Sequence, residues 1–189
     1  MKKIINTLLL ATIVFTATGF TSPIKNKVPI TESTIKWKGK KVIGSSHNGT
    51  IDLKKGFFEF KNDVLVGGHF EIDMTSISNN DLEGKYKTKL EGHLKSDDFF
   101  NVENYPTASF KINEVKQADG NYNITGEMTI KGITNIVSFD LNMKGNTSTA
   151  NIEIDRSKFD VRYGSGSFFD NLGDKTISDI IELNITLKH

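Results

Sequence analysis

Catalytic or metal chemistry in this chain would have to come from few residues. The histidines are His47, His69, His93 and His189, and no two of them are spaced as a His-x-x-x-His or His-Glu-x-x-His metal pair. There is no cysteine, so thiol nucleophiles, disulfides and Cys-ligated zinc are excluded. Metal ligands and cofactors are therefore expected to be none. Gly92-His93-Leu94-Lys95-Ser96-Asp97-Asp98 holds a Ser, a His and an Asp. Triad members converge from separate elements, however, and no Gly-x-Ser-x-Gly elbow accompanies Ser96. Helix termination and capping account for these residues, and no catalytic residue is assigned. Tyr163-Gly164-Ser165-Gly166-Ser167 lacks the following helix that a phosphate-cradling loop requires, and reads as a rim loop. Arg156, Lys158 and Arg162 form the densest cationic group. Arg156 and Arg162 are candidate contacts for an anionic head group, set against a plain solvated rim. Sequons such as Asn48-Gly49-Thr50 follow from an Asn/Thr-rich strand composition.

The elements that must position these residues are strands. From Ser33 onward the dominant period is two. The clearest runs are 64–74 (Val64, Val66, Gly68, Phe70, Ile72, Met74), 122–130, 133–143 and the final strand through Ile181, Leu183, Ile185 and Leu187. Weaker runs lie at 34–43, 50–60, 107–115 and 150–154. Turn chemistry falls at Lys55-Gly56, Asn62-Asp63, Asp119-Gly120, Lys131-Gly132 and Lys144-Gly145-Asn146. One segment differs: Leu82, Tyr86, Leu90 and Leu94 recur once per helical turn, with Asn79, Asn80 or Asp81 as N-cap. Ser96-Asp97-Asp98 then opens a short turn presenting Phe99 and Phe100, and Pro106 leads into the next strand. This predicts an all-β fold, an antiparallel meander of about eight strands with one helical crossover.

Eight strands enclose either packed side chains or one small ligand. Met74, Met128 and Met143 are adaptable fillers that suit a ligand. Gly68 and Gly126 on inward faces lean the same way, with bulges in a closed core as the alternative. Elsewhere the composition mainly excludes. Lys+Arg of 24 against Asp+Glu of 23 gives a net charge of +1, with no general pull on nucleic acid or anionic membrane. Met1-Lys2-Lys3 followed by a threonine-diluted apolar run to Phe20 has the layout of a signal peptide, with residues 1–22 removed on export. That run is too short and polar for a stable membrane span. Without a cysteine the exported protein is not a lipoprotein. Periplasmic or secreted localisation follows, with residues 23–189 as one domain.

Three blocks carry a family resemblance. The stretch from Gly92 to Phe110 contains His93-Leu94-Lys95-Ser96-Asp97-Asp98-Phe99-Phe100 and Tyr105-Pro106-Thr107-Ala108-Ser109-Phe110. The others are Gly126-Glu127-Met128-Thr129-Ile130-Lys131-Gly132-Ile133-Thr134 and Ile154-Asp155-Arg156-Ser157-Lys158-Phe159. Their order and spacing resemble the YceI-like family. The resemblance implies an eight-stranded antiparallel lipocalin-like β-barrel, exported in Gram-negative bacteria. It further implies that a polyisoprenoid or other long-chain amphiphilic lipid, such as an isoprenoid quinone, is held with its tail in the lumen, without catalysis. Thr34–Lys40 and the Gly164–Gly166 loop depart from the family pattern. On this reading Phe70, Ile72, Met74, Phe110, Ile112, Met128, Phe139, Leu141, Leu183 and Ile185 line the lumen. A partner-binding module with a filled barrel and a lipid-processing hydrolase are the rival readings, and a homodimer is left open.

Overall fold

The computed structural model describes residues 25–118 and 121–189. The proposed export segment and the Asp119-Gly120 turn lie outside the described residues. The strands are β1 (Lys25–Pro29), β2 (Glu32–Lys40), β3 (Ser46–Lys61), β4 (Val64–Asn79), β5 (Thr107–Ala118), β6 (Asn121–Ile130), β7 (Ile133–Lys144), β8 (Thr147–Asp155) and β9 (Ile180–Lys188), with one α-helix, α1 (Gly84–Lys95). All pairings between these strands are antiparallel, in the order β3-β2-β9-β8-β7-β6-β5-β4, and β4 pairs back onto β3. The eight strands β2–β9 thus close on themselves, as the alternating pattern predicts.

The strand β1 was not anticipated. It pairs Lys25–Pro29 with Phe57–Lys61, on the edge of β3 whose first half pairs with β2. Its five residues carry one aliphatic side chain, Val28, too little alternation to register as a strand. Lys55-Gly56 is not a turn but the middle of β3, beside a bulge at Leu53/Lys55. A Cβ on Gly56 would come within 2.7 Å of the Phe70 ring, so glycine there serves close packing. The short turns Asn62-Asp63 and Lys131-Gly132 form as expected, both residues of each with positive φ.

Bulges change which face points inward. At β4 the pairing steps from Phe60↔Leu65 to Glu59↔Gly67, leaving Val66 extra. Leu65 is therefore the buried residue, while Val64, expected inside, is exposed. A second irregularity sits at 74–77, where the Asp73 side chain accepts from the Thr75 N–H and the Ser76 hydroxyl from the Asp52 N–H. Beyond it Ile77 and Asn79 face inward instead of the even positions. Gly68 and Gly126 lie inside as read, yet they do not leave lumen space. A Cβ on Gly126 would meet Lys111 O at 2.3 Å and the Phe110 ring at 2.6 Å, and one on Gly68 would meet Phe57 O at 2.9 Å. They let neighbouring strands and aromatic rings close over them.

The helix starts later than expected, at Gly84, and its N-cap residue Glu83 makes no side-chain capping bond. The polar residues before it anchor it instead. Asn79 is fully buried; its Nδ2 donates to Asn48 O (2.9 Å) and its Oδ1 accepts from the Leu82 N–H. Glu91 reaches back from the helix to accept from the Asn79 N–H (2.8 Å) and the Ser78 hydroxyl (3.0 Å). Leu94 is the helix's buried residue, and Tyr86 is exposed, so the expected apolar face is narrower than its spacing implies.

A candidate lipid cavity

Inward side chains form two apolar clusters. One fills the end where β3 turns into β4, around Phe58, Leu65, Phe70, Phe110, Ile124 and Leu141. The other lies under α1, around Ile35, Trp37, Ile77, Leu94, Phe99 and Phe100. Between them Leu53, Ile130, Leu183 and Ile185 touch both clusters yet stay only partly covered, although they point inward. They border a cavity of about 180 Å³. Apart from the Trp37 indole, the polar side chains on its wall are Arg156 and Ser178. An apolar cavity of this kind stays dry and takes apolar guests.

All ten residues read as lumen-lining, Phe70, Ile72, Met74, Phe110, Ile112, Met128, Phe139, Leu141, Leu183 and Ile185, lie on this wall. They come from β4, β5, β6, β7 and β9. Side-chain alternation places each set on one face, and barrel closure brings the sets together. Trp37, Phe99, Phe100, Phe159 and Val161 also line it and were missed as lining residues. Trp37 sits in a run with weak alternation, and Phe99 and Phe100 follow the helix, where no period exists to orient them. Phe99 and Phe100 pack edge to face at 4.9 Å inside the second cluster; the turn buries them rather than presenting them.

Arg156 is not on a solvated rim. It is 1% exposed, and its guanidinium is spent on the protein's own backbone. Nε donates to Ser178 O (3.1 Å), one terminal nitrogen to Val161 O (2.9 Å) and Tyr163 O (2.8 Å), and the other to Ile177 O (3.2 Å). Asp179 pairs with it at 3.3 Å, and the Phe99 ring lies 5.5 Å from its central carbon. Burial lowers its pKa from the ordinary value while Asp179 and Asp155 act to raise it. A guanidinium in a protein nonetheless stays charged. Arg156 thus ties the β8–β9 connection across the helix end of the barrel. Four of its five N–H donors are held by these carbonyls, and the fifth faces Asp179, whose Oδ1 accepts no hydrogen bond among the described residues. Arg162 is exposed, paired with Asp160 and set over Phe168 at 5.1 Å.

The remaining reactive groups are structural in their contacts. The Ser96 hydroxyl donates to the main-chain oxygen of His93 (2.8 Å), closing the helix. The His93 ring lies against Tyr163 (4.2 Å) and Phe99 (5.7 Å), and its Nε2 has no hydrogen-bond partner among the described residues. Asp97 is exposed, and none of the three lines the cavity. A second Ser–His contact joins Ser148 to His189 Nε2 (3.0 Å), but Ser148 is wholly buried and inaccessible to a substrate. His47 meets Asp81 at 2.8 Å, part of the network that anchors the helix. His69 lies on the outer face with Glu71, as read. Among the described residues no three His, Asp or Glu side chains gather as a metal site. No described helix is long and apolar enough to cross a membrane.

Comparison with known proteins agrees with this geometry. A family model described as the YceI-like domain matches residues 12–189. The UPF0312 protein plu2095 of Photorhabdus laumondii is 42% identical over 99 residues, which is 51% of this chain and 48% of that protein. Protein YceI of Escherichia coli is 32% identical over 99 residues, 51% of this chain and 49% of its own. The chain thus spans about half the length of the curated relatives it matches. Among solved structures, BcnA of Burkholderia cenocepacia superposes with a TM-score of 0.59 at 23% identity, covering 82% of this chain and 94% of BcnA. The YCEI protein of Campylobacter jejuni gives 0.53 at 19% identity, covering 100% and 98%. These two structural likenesses bear on the fold alone.

Proposed function

The chain belongs to the YceI-like family, and from that premise we propose that it is a non-enzymatic carrier holding the tail of a long apolar lipid in its barrel. The barrel fold is consistent with a hydrophobic ligand. The observation that carries the proposal is the set of inward aliphatic side chains left partly covered between two packed clusters. A filled core at ordinary protein density would have covered them. Each CH₂ transferred from water onto such a wall contributes about 0.8 kcal/mol, so a long tail binds tightly without a polar contact. Shape and volume then set the preference, and tails of similar length are poorly distinguished. A polyisoprenoid or isoprenoid quinone fits these demands, in an exported, periplasmic or secreted setting.

The test is uptake of a fluorescent apolar probe by the lipid-extracted protein, compared with Phe139→Asp and Leu141→Asp. A carboxylate on that wall should abolish uptake, because an unpaired buried charge is heavily disfavoured. Folded Asp variants that bind the probe as the parent does would contradict the lumen assignment.

The rival reading as a partner-binding module has one observation in its favour. Val42 and Ile43, and Tyr163, Phe168 and Phe169, are exposed on two loops that meet through Lys41↔Ile177 and Ser165↔Ile177 bridges. That reading requires a filled barrel, and the partly covered wall argues against it.

A further inference from the structure

The ladder between β7 and β8 is short. Leu141–Lys144 pair with Thr147–Ala150, and among the described residues no pairing continues between 133–140 and 151–155, although both segments are extended strand. On their other edges β7 stays paired to β6 from Ile133 and β8 to β9 through Asp155. Two other ladders break. Between β4 and β5 the pairs stop at Gly68↔Ile112, and although Ile112 is a wall residue, none of the residues 64–67 and 113–117 beyond it is. Between β2 and β3 the interruption is short, and the Ile30 N–H bridges it by donating to Gly56 O (2.9 Å). The β7–β8 break reaches the cavity, because Phe139, Ile152 and Ile154 at its two edges are all wall residues.

The hairpin end offers no comparable passage, and at the helix end the wall runs out to the partly buried Gly39, Ile177 and Ser178. The hairpin end holds Phe58 and Leu65 at 1% exposure, with the His189 ring edge-on to Phe58 at 5.2 Å. The helix end holds Phe99, Phe100, Val161 and Arg156 on its four carbonyls. The side break is covered by the 3₁₀ turn Arg156–Phe159, whose Phe159 enters the core. Two side-chain bonds fasten that turn to the β7 side: Asn135 Nδ2 to Lys158 O (2.8 Å) and Lys131 Nζ to Asp160 O (3.0 Å). Both are far easier to open than a strand ladder, and Arg156 and Val161 hold the turn's two flanks in place meanwhile.

We propose that the β7–β8 break is a lateral gate, closed by the 157–160 turn and Phe159, through which the apolar chain enters and leaves. This rests on the carrier reading. Extending the register Leu141↔Ala150 brings Ser138 opposite Glu153, both exposed and outside the cavity wall. The parent has no cysteine, so Ser138→Cys with Glu153→Cys can be bridged by a short bis-maleimide without side reactions. Asn151→Cys with Asn184→Cys, across the intact β8–β9 ladder, is the control. Uptake and release of a fluorescent fatty acid by the lipid-extracted protein are followed by stopped flow. Bridging 138 to 153 should slow both at least tenfold, with the amount bound at equilibrium unchanged and the control unaffected. Asn135→Ala, which loosens the turn, should speed both several-fold. Unchanged rates in the bridged protein overturn the gate while leaving the carrier reading intact. A parent that takes up no probe overturns the carrier reading and the gate together.

Discussion

The two ends of this barrel are closed by opposite means. At the hairpin end, tight turns such as Asn62-Asp63 join the strands, and the interior is stopped by Phe58, Leu65 and Phe60 with the His189 ring laid across them. At the helix end two connections are long, 80–106 and 156–179, and polar groups organise them: Arg156 on four carbonyls, Glu91 and Asn79 under the helix. An apolar plug needs only volume and tolerates imperfect fit. A polar clasp needs every partner, because a buried group left alone costs its full desolvation. The helix end should therefore fail abruptly and the hairpin end gradually.

The largest effect should follow from Arg156→Ala, which leaves four carbonyls without their donor and Asp179 without its cation. Breaking a buried ion pair costs about 3–5 kcal/mol, read as a drop in the urea midpoint. Arg156→Lys should rescue little of it, since an ammonium cannot span the fork geometry. If Lys restores most of the stability, the clasp is a point charge and the contrast between the ends weakens. At the hairpin end Leu65→Ala should cost about 2–5 kcal/mol, with Leu65→Met close to neutral. A Met variant as damaging as Ala would mean that this end, too, depends on one geometry.

Smaller is the loss from Glu91→Gln, about 1–2 kcal/mol, from weakening charge-assisted bonds to Asn79 and Ser78. Amide exchange should localise it to α1 and the end of β4. The smallest effect is in pH. The Asn79 N–H holds the Glu91 carboxyl below its ordinary 4.5 against a smaller opposing effect of burial, with Ser78 and Lys87 assisting. A depressed acid contributes stability above its unfolded value and loses it as pH falls through the folded one. Burial lowers the His189 imidazole from its ordinary 6.5, which favours the neutral ring in the fold. That contribution is complete above 6.5 and lost as pH falls from there through the lowered value. Exchange should therefore loosen the hairpin end first on acidification, and the helix end only below 4.5.

Part of the wall could be read from the sequence because alternation is a local signal. Phe70, Ile72 and Met74 share a face whatever lies beyond, and closure of eight strands does the rest. The signal fails at bulges, where one extra residue such as Val66 exchanges inside for outside and puts Leu65 in the core. It also fails where a side chain's role is set by distant backbone. Arg156 looks in sequence like one of three surface cations, and only the fold brings Ile177 and Ser178 to its guanidinium. Gly126 illustrates the same limit, since the ring of Phe110 covers it from a neighbouring strand.

On the carrier reading the space between the two ends holds a lipid. Native mass spectrometry of the protein isolated without added lipid or detergent, followed by denaturation and organic extraction, shows whether it does. One lipid per chain is expected, released only on denaturation, with a mass that separates isoprenoid, quinone and fatty-acyl ligands. A clean protein mass, with no uptake from a total lipid extract, would contradict it.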